Sequence, residues 1–244
     1  MKPLLEVRNV SRRFKGVLAN DDISLSCQRG EILGLIGPNG AGKSTLFNLI
    51  AGTLPPSSGL ISFDGQDVTS LSAAQRCARG IARTFQVVRS FESMSVLDNV
   101  VVGALVRTAK MREAHRKAHE VLEFTELGHR TEALANELTP SEKRRLEVAR
   151  ALATAPSLLL LDEVMTGLTP AEAQKGVGLV RRIRDSGITV LMVEHVMEIV
   201  MPLVDRAVVL DLGRVLFEGK PSDATRDANV IAAYLGERHR APSE

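Results

Sequence analysis

Apolar and polar residues alternate over 5–10 and again over 23–27, the period of half-buried antiparallel strands. Residues 31–36 (EILGLI) form an apolar run instead, which predicts a strand buried on both faces, and 44–51 (STLFNLIA) follow at helical spacing. Residues 60–63 lead into Asp64-Gly65, a strand entering a tight turn, and 81–85 predict a short strand ending at Gln86. From about 95 to 155 the strand signals thin out, and 96–105 and 111–127 run at helical spacing. Strands return at 157–161, 188–193 and 206–210, with a helical stretch at 171–184. This alternation predicts an α/β fold with a mainly parallel sheet covered by helices. Residues 208–217, broken by Asp211-Leu212-Gly213, predict a closing hairpin, and the polar tail at 237–244 is expected to be mobile.

Composition mainly excludes. A chain of 244 residues suits one large α/β domain, or a domain with a subdomain. A net charge of +2, no tryptophan and a single tyrosine, Tyr234, argue against a nucleic-acid partner, which would call for a basic field and stacking platforms. Cys27 and Cys77 make no metal or redox pattern and suit a reduced cytosolic setting, with Cys27 a small core residue. No apolar run approaches 18 residues and the first residues lack a signal-peptide block, so work at a membrane would go through another chain.

The chemistry centres on Gly37-Pro38-Asn39-Gly40-Ala41-Gly42-Lys43-Ser44, which fits G-x-x-x-x-G-K-[ST] between a predicted strand and a predicted helix. Glycines let successive N–H groups turn inward onto phosphates. Lys43 can then reach the β- and γ-phosphates, Ser44 can sit on Mg²⁺, and Thr45 continues the cradle at the helix N-terminus. The pattern predicts a nucleoside triphosphate. Leucines 158–161 run into Asp162 and Glu163, as a buried strand does on emerging at a ligand edge. Asp162 is suited to hold the Mg²⁺ water shell and Glu163 to poise an attacking water.

Taken together, GLIGPNGAGKSTLFNLIAG, ARTFQ (82–86), VLDNVVVGAL (96–105), RRLEVARALA (144–153), LLLLDE, VEHVMEIV (193–200) and VIAAYLGE (230–237) resemble an ATP-binding-cassette (ABC) transporter ATPase of the branched-chain amino acid importer type. The resemblance runs from about residue 4 to 237. It implies a P-loop NTPase fold with an antiparallel β subdomain, a core ATP-binding subdomain (1–88 and 156–236) and a helical subdomain (89–155). It implies ATP and Mg²⁺ as cofactors, and a second cassette so that each ATP lies between one chain's phosphate loop and the other's signature segment. It also implies transmembrane permease subunits docking near 86–105, an indirect link to a solute-binding protein, and a place on the cytoplasmic face of the inner membrane. Gln86 matches the lid glutamine that contacts Mg²⁺ or water, His195 the switch histidine at the γ-phosphate, and Phe14 the aromatic on adenine, where a plain core phenylalanine is the competing reading. Residues 83–91 (RTFQVVRSF) read as an exposed basic and apolar docking segment, or as an ordinary surface loop.

The chain departs from the family pattern in two places. The signature, approximately L-S-G-G-Q, is here Leu138-Thr139-Pro140-Ser141-Glu142. Thr139 can replace the serine hydroxyl and a helix from Ser141 keeps its positive end. Pro140, however, deletes an amide donor, Ser141 adds a side chain where glycine allows close approach, and Glu142 brings negative charge. Val164 stands where proline usually follows the acids, which alters loop stiffness and removes no catalytic group. A weak cap offered to the partner favours a paralogous partner over a homodimer. The alternative is a regulatory nucleotide-binding cassette that hydrolyses poorly.

Overall fold

The computed structural model describes residues 2–194 and 197–238. Strands β1 (Leu5–Phe14), β2 (Val17–Cys27), β4 (Ser58–Phe63) and β5 (Gln66–Asp67) form an antiparallel sheet in the order β2-β1-β4-β5. Strands β3 (Ile32–Ile36), β6 (Ile81–Arg83), β7 (Leu158–Asp162), β8 (Thr189–Val193), β9 (Arg206–Asp211) and β10 (Arg214–Gly219) form a second sheet, ordered β10-β9-β3-β8-β7-β6. Its pairings are parallel except for the β9–β10 hairpin. Helices α1 (Lys43–Ala51) and α2 (Ala73–Arg79) precede β6. Helices α3 (Val96–Ala104), α4 (Met111–Phe124) and α5 (Pro140–Ala153) occupy the middle of the chain, and α6 (Pro170–Asp185) links β7 to β8. Short helices α7 (Met197–Val200) and α8 (Pro221–Ala224) and the longer α9 (Ala228–Arg238) complete the described chain.

The apolar runs are apolar because the parallel sheet is covered on both sides. Leu158 and Leu160 join Leu33 and Leu35 in one core with α1 and the antiparallel sheet. Leu159 and Leu161 join Ile32 and Ile36 in another core with α3–α6. Alternate side chains of one strand thus feed two cores. All five residues of β3, β7 and β8 are buried. The parallel strands end on one edge, where the segments after β3, β6, β7 and β8 converge.

Several elements differ from the sequence reading. The strand expected over 81–85 stops at Arg83, because Phe85 and the residues after it bond to α5 instead of to a strand. Helix α2 was not foreseen. Its seven residues carry little periodicity, and it is held by a Ser72–Gln75 capping box and by Arg76, a fully buried arginine. Helix α9 continues to Arg238, into the segment expected to be a mobile tail. None of the described helices is long and apolar enough to cross a membrane.

Candidate functional site

The phosphate-loop motif leaves β3 and enters α1 as a tight turn. Gly37 has φ 146° and a Cβ there would lie 2.2 Å from the Leu210 carbonyl oxygen. At Gly42, φ is 98° and a Cβ would meet the Ala19 oxygen at 2.4 Å. Neither position admits a side chain. Gly42 is also the N-cap of α1, and among the described residues no side chain caps that helix and no acid lies in its first turn. The positive end of the α1 dipole therefore faces the turn without a capping side chain from the described residues. Lys43 is buried and donates to the carbonyls of Gly37 (2.6 Å) and Pro38 (2.8 Å), which draws the ammonium inside the loop. Asn20 on β2, buried and absent from the sequence-based candidates, donates to the Gly42 carbonyl at 3.1 Å. A lone asparagine in a strand gives no signal that would have found it.

Ala19, residues 39–45, Gln86 and Glu163 line one cleft of about 290 Å³. Asn39, Gly40, Ala41, Gly42, Lys43, Ser44, Thr45, Gln86 and Glu163 are thus brought together. Gln86 Nε2 donates to Glu163 Oε2 at 2.8 Å. Glu163 is 8% exposed and sits at φ 51°, a left-handed conformation that costs a non-glycine residue on the order of 1–2 kcal/mol. The turn is pinned from both sides. Its N–H donates to the Val193 carbonyl, and Met165 N–H donates to Glu194 Oε1 at 2.7 Å.

Asp162, next to Glu163 in the chain, does not itself line this cleft; it is 6% exposed, with its Oδ2 3.1 Å from Arg83 Nη2. Its N–H donates to Thr84 Oγ1. Arg83 also donates to Asn48 Oδ1 of α1 (2.6 Å) and lies 4.6 Å from the Phe85 ring centroid. Burial lowers the Arg83 pKa, and the neighbouring Asp162 charge counters that shift. Within the segment 83–91, Arg83 is half-buried and Thr84 buried, whereas Gln86, Val87, Arg89 and Phe91 are at the surface.

The donors Ser44, Asp162 and Gln86 are hydroxyl, carboxylate and amide, the oxygen set that suits Mg²⁺. With Gln86 Nε2 committed to Glu163, the amide oxygen is the end suited to a cation. No group of three His, Cys, Asp or Glu among the described residues forms a metal cage.

Other expected residues lie elsewhere. Phe14 is at the tip of the β1–β2 hairpin, 38% exposed, with the Arg12 guanidinium 4.6 Å from its ring centroid. It does not line the cleft; Ala19 of the same hairpin does. Thr139 and Ser141 line a separate cavity of about 220 Å³ between α5 and α6. The α5 helix starts one residue earlier than expected, at Pro140, where the missing N–H breaks no helical bond. Thr139 caps it, and Glu142 Oε2 accepts from the Thr139 N–H and hydroxyl, both at 2.9 Å. Burial would raise the Glu142 pKa, but these bonds, with Arg130 and Arg145, hold it below the usual carboxylate range. His195 lies outside the described residues.

The α5 helix also reaches the cleft. Arg144 Nη1 donates to the Glu163 carbonyl at 3.2 Å, and Glu147 Oε1 accepts from the Phe85 N–H at 3.0 Å. Glu147 is 5% exposed, and burial pushes its carboxyl up to about 7 against the bonds from Phe85 and Arg89 and the charges of Arg150 and Arg83.

A family model described as ABC transporter matches residues 20–166, and one described as branched-chain amino acid ATP-binding cassette transporter matches 214–240. The chain is 36% identical to the high-affinity branched-chain amino acid transport ATP-binding protein BraF of Pseudomonas aeruginosa, covering 97% of this chain and 99% of that protein. It is 34% identical to the lipopolysaccharide export system ATP-binding protein LptB of Escherichia coli, covering 97% and 98%. The ADP conformation of MJ1267, an ATP-binding cassette of an ABC transporter, superposes with a TM-score of 0.88 at 30% identity, covering 97% and 100%. A dimeric post-hydrolysis state of the cassette MJ0796 bound to ADP and Pi gives a TM-score of 0.81 at 25% identity, covering 89% and 98%.

Proposed function

The chain belongs to the ABC transporter ATPase family, an ATP-hydrolysing subunit that dimerises and works with permease components, and from that premise we propose an importer motor for branched-chain amino acids or a similar small polar solute. The observation that carries the catalytic part is the Gln86–Glu163 hydrogen bond inside the phosphate-loop cleft. In this reading the amides of 39–45 and Lys43 bind the triphosphate, and Ser44, Asp162 and Gln86 hold Mg²⁺. When bound, the cation neutralises charge on the β- and γ-phosphates. Glu163 accepts the proton of the attacking water while Gln86 fixes the orientation of that carboxylate. His195, which follows Glu194, is assigned to the γ-phosphate on the family pattern alone. Phe14 is assigned to adenine on the same basis.

The permease assignment is supported by a groove of about 520 Å³ lined by Phe85, Arg89, Phe91, Val102, Val106 and Arg150. Its apolar rim and basic heads suit an amphipathic helix from another chain. The site would lie on the cytoplasmic face of the inner membrane, with the cassette peripheral through the permease. The solute assignment leans on BraF and on the C-terminal match at 214–240. LptB, a component of an export system, is nearly as similar, so the likeness by itself does not fix the solute.

A paralogous partner is favoured, because the Thr139 hydroxyl and N–H that would cap a partner's phosphate are engaged by Glu142. The test is ATP turnover by the purified chain across protein concentration, with Glu163→Gln as control. Turnover rising faster than linearly and abolished in the control supports paired sites. Equal turnover by wild type and Glu163→Gln would instead favour a regulatory cassette. Leucine uptake by vesicles carrying the chain with its permease, absent in Glu163→Gln, tests the solute class.

A further inference from the structure

Helix α5 starts at the segment offered to a partner, yet its middle touches this chain's own reacting groups. Arg144 holds the Glu163 carbonyl, and one turn on, Glu147 accepts the Phe85 N–H and also bonds the backbone of Arg89. Residues 85 and 89 bracket the bend at Gln86 and Val87, so the loop carrying Gln86 is wrapped around a single buried carboxylate. Beyond Glu147, Arg150 of α5 donates to the Arg89 carbonyl and lies 4.7 Å from the Phe91 ring centroid. From the other side, Arg83 and Arg89 both lie against the Phe85 ring, at 4.6 and 4.7 Å.

A leucine or methionine would fill the Glu147 position at far lower desolvation cost. What an apolar side chain cannot do is accept N–H groups from two ends of one loop. The bonds from α5 fall on either side of the Gln86–Glu163 contact, one reaching the lid and the other the acid loop.

We propose that Arg144 and Glu147 are positioning residues that clamp Gln86 against Glu163 and so hold this chain's own catalytic pair in register. This rests on Gln86 and Glu163 acting as the reacting pair. The full chain, co-purified with its partner subunits, would be assayed for steady-state ATP turnover as Glu147→Leu, Glu147→Gln, Gln86→Ala and Glu147→Leu with Gln86→Ala. Glu147→Leu should lower kcat about ten-fold with KM for ATP within about two-fold. Glu147→Gln keeps a carbonyl oxygen for the Phe85 N–H and should recover most of that loss. On the Gln86→Ala background, Glu147→Leu should cost less than about two-fold more, because its effect runs through Gln86.

Arg144 gives an independent arm that does not depend on Glu147→Leu folding. Arg144→Met should show the same kcat-only loss, and Arg144→Lys, which keeps a donor, should regain it. Multiplicative losses in the double variant, or a KM rise matching the kcat fall, would overturn the clamp. So would wild-type kcat in Glu147→Leu and Arg144→Met beside a slow Gln86→Ala. Wild-type kcat in Gln86→Ala itself would instead overturn the reading of the reacting pair.

Discussion

Arg83 holds Asp162 by an ion pair at 3.1 Å in which both side chains are largely buried, and the same guanidinium reaches Asn48 on α1. One arginine therefore ties the acid at the end of β7 to the helix that follows the phosphate loop. Its surroundings decide its weight. A buried pair can be replaced whole at little cost, whereas removing one partner leaves a charge stranded.

Arg83→Met is accordingly expected to destabilise the chain by about 3 kcal/mol. Adding Asp162→Asn should return most of that loss. Urea unfolding of the two single variants and the double would show it. Equal losses in Arg83→Met with and without Asp162→Asn would mean that Arg83 acts by packing on Phe85.

Glu147 makes stability depend on pH. Its carboxyl is pushed from 4.5 up to about 7 in the folded chain, chiefly by burial, despite Arg83 and Arg150 nearby. The folded state therefore binds a proton that the unfolded state releases. The sign follows. This contribution is full below about pH 4.5 and is lost as pH rises through about 7. Relative to Glu147→Gln, the wild type should lose on the order of 3 kcal/mol between pH 5 and 8. Parallel stability–pH curves for the two proteins would contradict it.

Arg76 is a stability determinant with no catalytic contact. Its guanidinium donates to the carbonyls of Leu49 and Ile50 at the end of α1 and to those of Thr69 and Leu71. Burial lowers its pKa to about 10, so it stays charged at neutral pH. Arg76→Met strands these carbonyls and should cost about 3 kcal/mol. Thermal denaturation should register it as a clear drop in Tm, while KM for ATP, measured well below that Tm, should change little.

The signature segment invites a gain of function. Changing Pro140→Gly and Ser141→Gly in a reconstituted pair restores an amide donor and close approach. ATP turnover at the partner's site should rise several-fold, since one such donor is typically worth about 3 kcal/mol at the transition state and only part of that is recoverable here. Unchanged turnover would show that Thr139 and the α5 N-terminus suffice as they stand.

The phosphate loop, the acids after 158–161 and the parallel sheet were legible in the chain because each is local. A glycine spacing, a leucine run and a strand–helix alternation are written in consecutive residues. The family resemblance added Gln86 and the signature segment for the same reason. The early end of β6 and the burial of Arg83 were not legible. The first depends on α5, more than 50 residues away in the chain, whose Glu147 takes the Phe85 N–H, and the second on Asp162 and Asn48, which β7 and α1 bring beside Arg83. Sequence alone named Gln86 and Glu163, but only folding brought them to 2.8 Å, with Arg144 and Glu147 on one helix bonded beside them. Hydrogen bonds and desolvation act over a few ångströms in space, and what lies within that reach is decided by packing.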